Sequence, residues 1–294
     1  MPVPRRNEVS EQDPTIPEID APEQIVESGI WAREVSLAAG LVVLLLGSMW
    51  VSTGSFPPMV VVESRSMMHE EGGSLGAIDP GDLIMVMSND RKDVITYVEA
   101  TNEANENFGY ESHGWPGDVI IYRKNGGSDT PVIHRAVLEV VANGSGWDVP
   151  GTSLVNVQEI TLTLDYDCYN FHDGNYKLNL QSWEPEHAGF LTSGDNNNGG
   201  CMIDQPSANS YGEGIGLHDS MGNPVLPVKD DWVVGVASSE IPWVGSIKLL
   251  TTGTAGSVTP ESWGSLSIAI LLVLAAPFAM DYIPALKNGP DEEE

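Results

Sequence analysis

Two unbroken apolar runs bracket a long stretch in which short apolar segments alternate with turn residues. The first, VSLAAGLVVLLLGSMWVSTGSF from Val35, carries no charge before Glu63. Its length matches the ~20 residues that a helix needs to cross a bilayer's hydrocarbon core. A long polar segment precedes it, unlike the short charged start of a cleavable signal peptide. It is therefore expected to persist as an anchor over residues 35–58. The second run, residues 262–283, is also long enough to span, with Pro277 expected to kink it. A helix buried in a soluble domain is the alternative for this run. Residues 1–34, rich in Pro, Glu and Asp, read as a disordered acidic tail, and residues 284–294 as a second acidic tail.

Between the runs the pattern changes to strands. MVVVES, DLIMVMS, DVIIYRK, PVIHRAVLEVV, SLVNVQEITLTL and DWVVGVA are short, β-branched and punctuated by Gly, Pro and Asp. Long helical periodicity is missing there, so residues 59–258 are expected to form a mainly β domain. PGDLIMV (80–86) and PGDVIIY (116–122) echo each other as Pro-Gly-Asp turns feeding strands. The stretches 97–115 and 143–189 interrupt the pattern and read as insertions into a smaller β core.

Charge changes the picture next. With 13 Lys+Arg against 42 Asp+Glu the formal net charge is −29. Phosphate recognition needs clustered cations, so the charge argues against nucleic acid as a partner. Acidic side chains spread along the whole chain repel one another in dilute buffer and are relieved by salt, the pattern of a protein adapted to very high salt. The few basic residues also orient the chain. Arg5, Arg6 and Arg33 precede the first run and Lys287 follows the second, which predicts cytoplasmic termini and an extracytoplasmic β domain. The six histidines lack metal-ligand spacing, so no metal is expected. Cys168 and Cys201 permit one disulfide without establishing it.

Candidate chemistry centres on SRSMMH, directly after the first predicted strand. A serine there is ordinarily a turn residue; as a nucleophile, Ser66 needs a base to take its proton. His134 in TPVIHRAV is the best candidate, because an imidazole works as a general base near neutrality. Strand alternation puts Val132, His134 and Ala136 on one face and Ile133, Arg135 and Val137 on the other. The Gly- and Asn-rich segment FLTSGDNNNGGCMIDQP offers Asp195 and Asp204 as the group that orients the imidazole. A half-buried structural histidine and a polar surface loop are the plain alternatives.

These pieces, in this order, resemble type I signal peptidases of the archaeal and endoplasmic-reticulum branch, with a haloarchaeal cast to the composition. The family's nucleophile box, Ser-x-Ser-Met-x-Pro, is matched at Ser64, Ser66 and Met67. Its His-Arg base box is matched at His134 and Arg135, where the bacterial branch carries lysine. Its third box is matched by SGDNNNGGCMID, and DWVVGVASSEIPWVGSIKLL is similar to its closing segment. The chain departs from the pattern at His69, where proline is usual, and at Ser193, where lysine is usual. His69 thereby becomes a rival imidazole near the nucleophile.

The resemblance implies a signal-peptidase-like antiparallel β catalytic domain between an N-terminal and a C-terminal transmembrane helix, in the cell membrane. It implies a serine endopeptidase that removes signal peptides from secretory preproteins by an acyl-enzyme route, without a cofactor. Ser66 is then the nucleophile, His134 the base, Asp204 the orienting acid, and Asp195 a support for its loop. The Ser66 backbone N–H and the Ser64 hydroxyl form the oxyanion hole. Val60, Val61, Val62 and Met67 meet an extended substrate added to a strand edge. Membrane lipid and the protein-translocation channel are the other implied partners. Ser66 lies eight residues beyond Pro58, within about 29 Å of the bilayer exit for an extended chain. Two rivals remain: a self-cleaving repressor-type protease, which the missing lysine and the anchor disfavour, and a non-enzymatic membrane-anchored β domain of a secretion or surface complex.

Overall fold

The computed structural model describes residues 23–166, 177–196, 202–209 and 215–282. Cys168 and Cys201, and most of the two acidic tails, lie outside the described residues. Contacts divide the chain into two units, one ending at Ser48 and the other beginning at Met49.

The first apolar run forms α1 (Glu23–Thr53). Residues 23–34, expected within a disordered tail, are helical, because nothing between Glu23 and Val35 breaks a helix. The helix stops at Thr53, before the Pro57-Pro58 pair rather than at it. The Arg91 guanidinium closes its last turn, donating from Nη1 to the carbonyls of Val51 and Ser52, where a cation is favoured by the helix dipole. Near the other end of the chain, α4 (Pro260–Tyr282) continues through Pro277. Residues 31–53 and 260–279 are long and apolar enough to cross a membrane, and only 11% of the window in α4 is buried. That exposure is not what the core helix of a soluble domain shows.

Between the helices the chain is mainly antiparallel β, as the alternating pattern predicts. In chain order its elements are β1 (Met59–Val61), β2 (Leu83–Met87), a short helix α2 (Tyr97–Thr101), β3 (Glu111–Ser112), β4 (Trp115–Pro116) and β5 (Val119–Tyr122). There follow β6 (Val132–Asn143), β7 (Gly146–Asp148), β8 (Ile160–Leu164), β9 (Leu178–Trp183), β10 (Gly189–Ser193), β11 (Val233–Ile241) and the helix α3 (Ser246–Thr252). The main sheet runs β1-β2-β11-β5-β6-β10, leaving β1 at an edge. β5 explains why its sequence is apolar without alternation. Val119 and Ile121 enter a core with Ile84 and Val86, while Ile120 and Tyr122 enter another with Phe190 and Val236, so both faces are covered.

The two predicted insertions build a third core. Val98, Val149, Ile160, Leu180 and Trp183 pack there against Val137, Leu138 and Val140 from the far half of β6. They are thus joined to the strand that carries His134. SLVNVQEITLTL is a strand only from Ile160; its first half turns, with Asn156 at positive φ.

Candidate functional site

The nucleophile candidate is held in a turn pinned from both sides. Beyond β1 the ladder with β2 ends at Val62, whose N–H donates to Asp82 O. The chain then turns over residues 65–68, with Met68 N–H donating to Arg65 O at 3.3 Å. Met67 and Met68 are fully buried directly after Ser66, which fixes the direction in which the partly exposed serine points. Asn196 grips the same turn from the third box. Its backbone N–H donates to Ser66 O at 2.8 Å and its side-chain amide to Arg65 O at 2.9 Å.

His134 is on β6, and its Nδ1 lies 2.6 Å from Asp204 Oδ2. A carboxylate only accepts, so Nδ1 carries the proton and the neutral ring presents a lone pair at Nε2. The Tyr122 hydroxyl (2.9 Å) and the Thr192 hydroxyl (2.6 Å) donate to the same carboxylate oxygen. Burial, reinforced by the Asp204 charge, pushes the Tyr122 phenol well above its ordinary value, so it stays a donor. The Asp204 backbone is tied in as well, with its N–H donating to Thr192 O and its carbonyl accepting from Leu217 N–H.

Gly194 lies close to both the serine and the imidazole. A Cβ built there would lie 3.1 Å from His134 Nε2, 3.2 Å from Ser66 Cβ and 2.7 Å from Ser66 O. Nε2 and the serine methylene therefore both border the space that a side chain at 194 would enter. Among the described residues His134 Nε2 makes no hydrogen bond; Ser66 Oγ instead shares one with Ser64 Oγ at 3.1 Å. A turn of the serine side chain about its Cα–Cβ bond is what would re-aim Oγ, and such bonds are commonly long before a substrate binds.

Asp195 and the rival imidazole belong to a separate network. The Arg135 guanidinium, wholly buried, forms a two-pronged pair with Asp195: Nε to Oδ1 at 2.8 Å and Nη2 to Oδ2 at 2.6 Å. His69 Nε2 lies 2.9 Å from Oδ2, and the Tyr166 hydroxyl donates to Oδ1 at 3.0 Å. Burial alone would raise the Asp195 carboxyl, but Arg135, with His69 beside it, outweighs burial and holds it below the usual carboxylate range. Arg135 also donates to Gly117 O (2.6 Å) and Ser112 O (3.0 Å), clamping the first insertion to β6. His69 is thus engaged with Asp195, and its ring lies tilted against Trp115. Ser193 is buried and donates to Met202 O.

A cavity of about 770 Å³ opens in front of this arrangement. Ser64, Ser66 and His134 line it, as do Val60, Val61 and Val62. Met67, expected to meet a substrate, does not; it is 1% exposed and packs with Ile78 and Ile84 beneath the turn. On a tight turn, neighbouring side chains diverge, and Met67 takes the inward direction.

Tyr122, Thr192, Gly194 and Asn196 were not singled out from the sequence. Gly194 and Asn196 flank Asp195 in the third box, and only their closeness in the chain to that residue could have drawn attention to them. Tyr122 and Thr192 carry no local signal, because each meets Asp204 across the fold. Among the described residues no group of His, Cys, Asp and Glu side chains could hold a metal ion. No family model matches the chain, and no curated protein matches it.

Proposed function

We propose that this chain is a membrane-bound serine endopeptidase of signal-peptidase type, which removes N-terminal signal peptides from secretory preproteins through an acyl-enzyme. The observation that supports the reading is that His134 is bonded to Asp204 and borders the same small space as Ser66. One ring nitrogen is held by a buried carboxylate, and the other borders the same space beside Gly194 as the Ser66 methylene. That is the geometry of a base whose tautomer is fixed by an acid.

In the proposed reaction His134 Nε2 takes the Ser66 proton while Oγ attacks the scissile carbonyl. The tetrahedral oxyanion is received by the Ser66 N–H and the Ser64 hydroxyl, which is already near Ser66 Oγ. The imidazolium, stabilised by Asp204, then gives its proton to the departing amine as the carbonyl re-forms, leaving the acyl group on Ser66. Water deprotonated by the same imidazole hydrolyses that ester. An extended peptide adds to the free edge of β1, with its side chains over Val60 and Val62. Two helices able to cross a bilayer, α1 and α4, fit a substrate whose signal segment lies in lipid, with the β domain on the extracytoplasmic side.

Purified full-length protein is expected to cleave a preprotein at its signal-peptide junction, and Ser66→Ala and His134→Ala are each expected to abolish cleavage while the protein still inserts in membranes. Cleavage retained by either variant would refute the assignment.

A further inference from the structure

The turn that carries Ser66 is gripped on a third side, by the segment leading into α4. Three contacts bracket the serine. Lys248 Nζ reaches Glu63 Oε1 at 3.0 Å, Arg65 Nε donates to Ser257 O at 3.0 Å, and Thr259 Oγ1 donates to Gly72 O at 2.8 Å. The first is an exposed ion pair, which contributes little and is screened in salt. The other two are hydrogen bonds to backbone carbonyls, one made by the residue next to Ser66 and one by a side chain 1% exposed.

Thr259 is placed unusually for such a tie. It directly precedes Pro260, the first residue of α4, and its Oγ1 accepts the Ser262 N–H at 3.1 Å, as a helix N-cap does. With the Ser262 hydroxyl 2.9 Å away as a second donor, the single Thr259 proton is free for Gly72 O. One hydroxyl therefore ends the loop that follows the nucleophile and begins the apolar helix. Ser262 and Leu266 in the opening turns of α4 are buried, as is Val258, which lies against Gly81. The start of α4 is seated on the domain and does not hang from it.

We infer that the start of α4 is a brace for the nucleophile, with Arg65 and Thr259 as positioning residues that hold the Ser66 turn in register with His134. The inference rests on the function proposed above: if Ser66 attacks a carbonyl, a small drift of its turn costs rate, since a misplacement of an ångström can cost on the order of a hundredfold. It also gives the second apolar helix a role besides anchoring, because the seating of α4 and the placing of the hydroxyl are mechanically one event.

The test uses full-length protein in lipid vesicles and three variants. Thr259→Asp keeps an acceptor for the Ser262 N–H but cannot donate to Gly72 O. Arg65→Ala removes the contact to Ser257 O. Thr259→Ser preserves both bonds of the hydroxyl. The first two are expected to lower kcat for a preprotein about tenfold with KM within about twofold, whereas Thr259→Ser stays close to the parent protein. In parallel, hydrogen exchange of the 63–73 peptide should quicken in Thr259→Asp and Arg65→Ala while β5 and β6 keep their protection. Parental kcat in both variants overturns the inference, as does exchange that quickens throughout the sheet or does not quicken at 63–73. If the parent protein cleaves no preprotein, the proposed function fails, and the exchange pattern alone decides whether the brace exists.

Discussion

Asp195 and Asp204 are both buried carboxylates within one loop segment, yet they do different work. Asp204 faces His134 and is fed by two neutral hydroxyls, so Asp204→Asn keeps the shape and spoils the tautomer. Activity is expected to fall by about 10⁴ with little change in Tm, as kinetics and thermal melting of one preparation would show. Asp195 balances Arg135, a guanidinium with no exposure. Asp195→Ala strands that charge and is expected to destabilise the fold by about 3–5 kcal/mol in denaturant titration. Reversal of the two outcomes would exchange the roles. Gly194→Ala is a third case: the added methyl would lie 2.7 Å from Ser66 O and 3.1 Å from His134 Nε2 and displace the Ser66 turn, so cleavage should fall at least about a hundredfold. Ser66 and His134 were legible as candidates from residue type and order, which left Asp195 and Asp204 both open as the acid; the contact of Asp204 with His134 separates them. The supports of these residues were not legible, because Tyr122, Thr192 and Asn196 gain meaning only when distant strands converge. Strand alternation placed Arg135 opposite His134, and that opposition is what lets it reach Asp195.

The strands themselves were legible where one or both faces are buried, as in β2 and β5. They were overextended where a turn intervenes, as before β8, and α3, with seven residues, is too short for a period to declare itself. The insertions read as additions, whereas their core is continuous with β6. β11 carries a feature that no pattern indicates. Burial, aided by Asp82 and Asp79 nearby and opposed by the Gly76 N–H, pushes Glu240 up to about 7. A carboxyl raised in the folded state binds its proton more readily there than in the unfolded chain. Its contribution to stability is therefore recovered as pH falls from about 7 toward the ordinary carboxylate range, and lost as pH rises through that window. Glu240→Gln should raise Tm at pH 8 and leave it nearly unchanged at pH 5, at fixed salt. An equal effect at both pH values would contradict the shift.

Charge and hydrophobicity divide the labour of the chain as a whole. Much of the apolar sequence lies in α1 and α4, two helices able to cross a membrane, and the chain as a whole carries a net charge of −29. Such a surface repels itself over about 10 Å at 0.1 M salt and about 3 Å at 1 M. Both solubility and thermal stability should therefore rise steeply between these concentrations, and a Tm independent of salt would refute salt adaptation.

The most direct measurement is mass spectrometry of the full-length protein after a serine-directed covalent probe. The account predicts a single adduct on Ser66, formed by the parent protein and lost in His134→Ala. Absence of any adduct on Ser66, or labelling that persists unchanged without His134, would contradict the claim that this imidazole activates that hydroxyl.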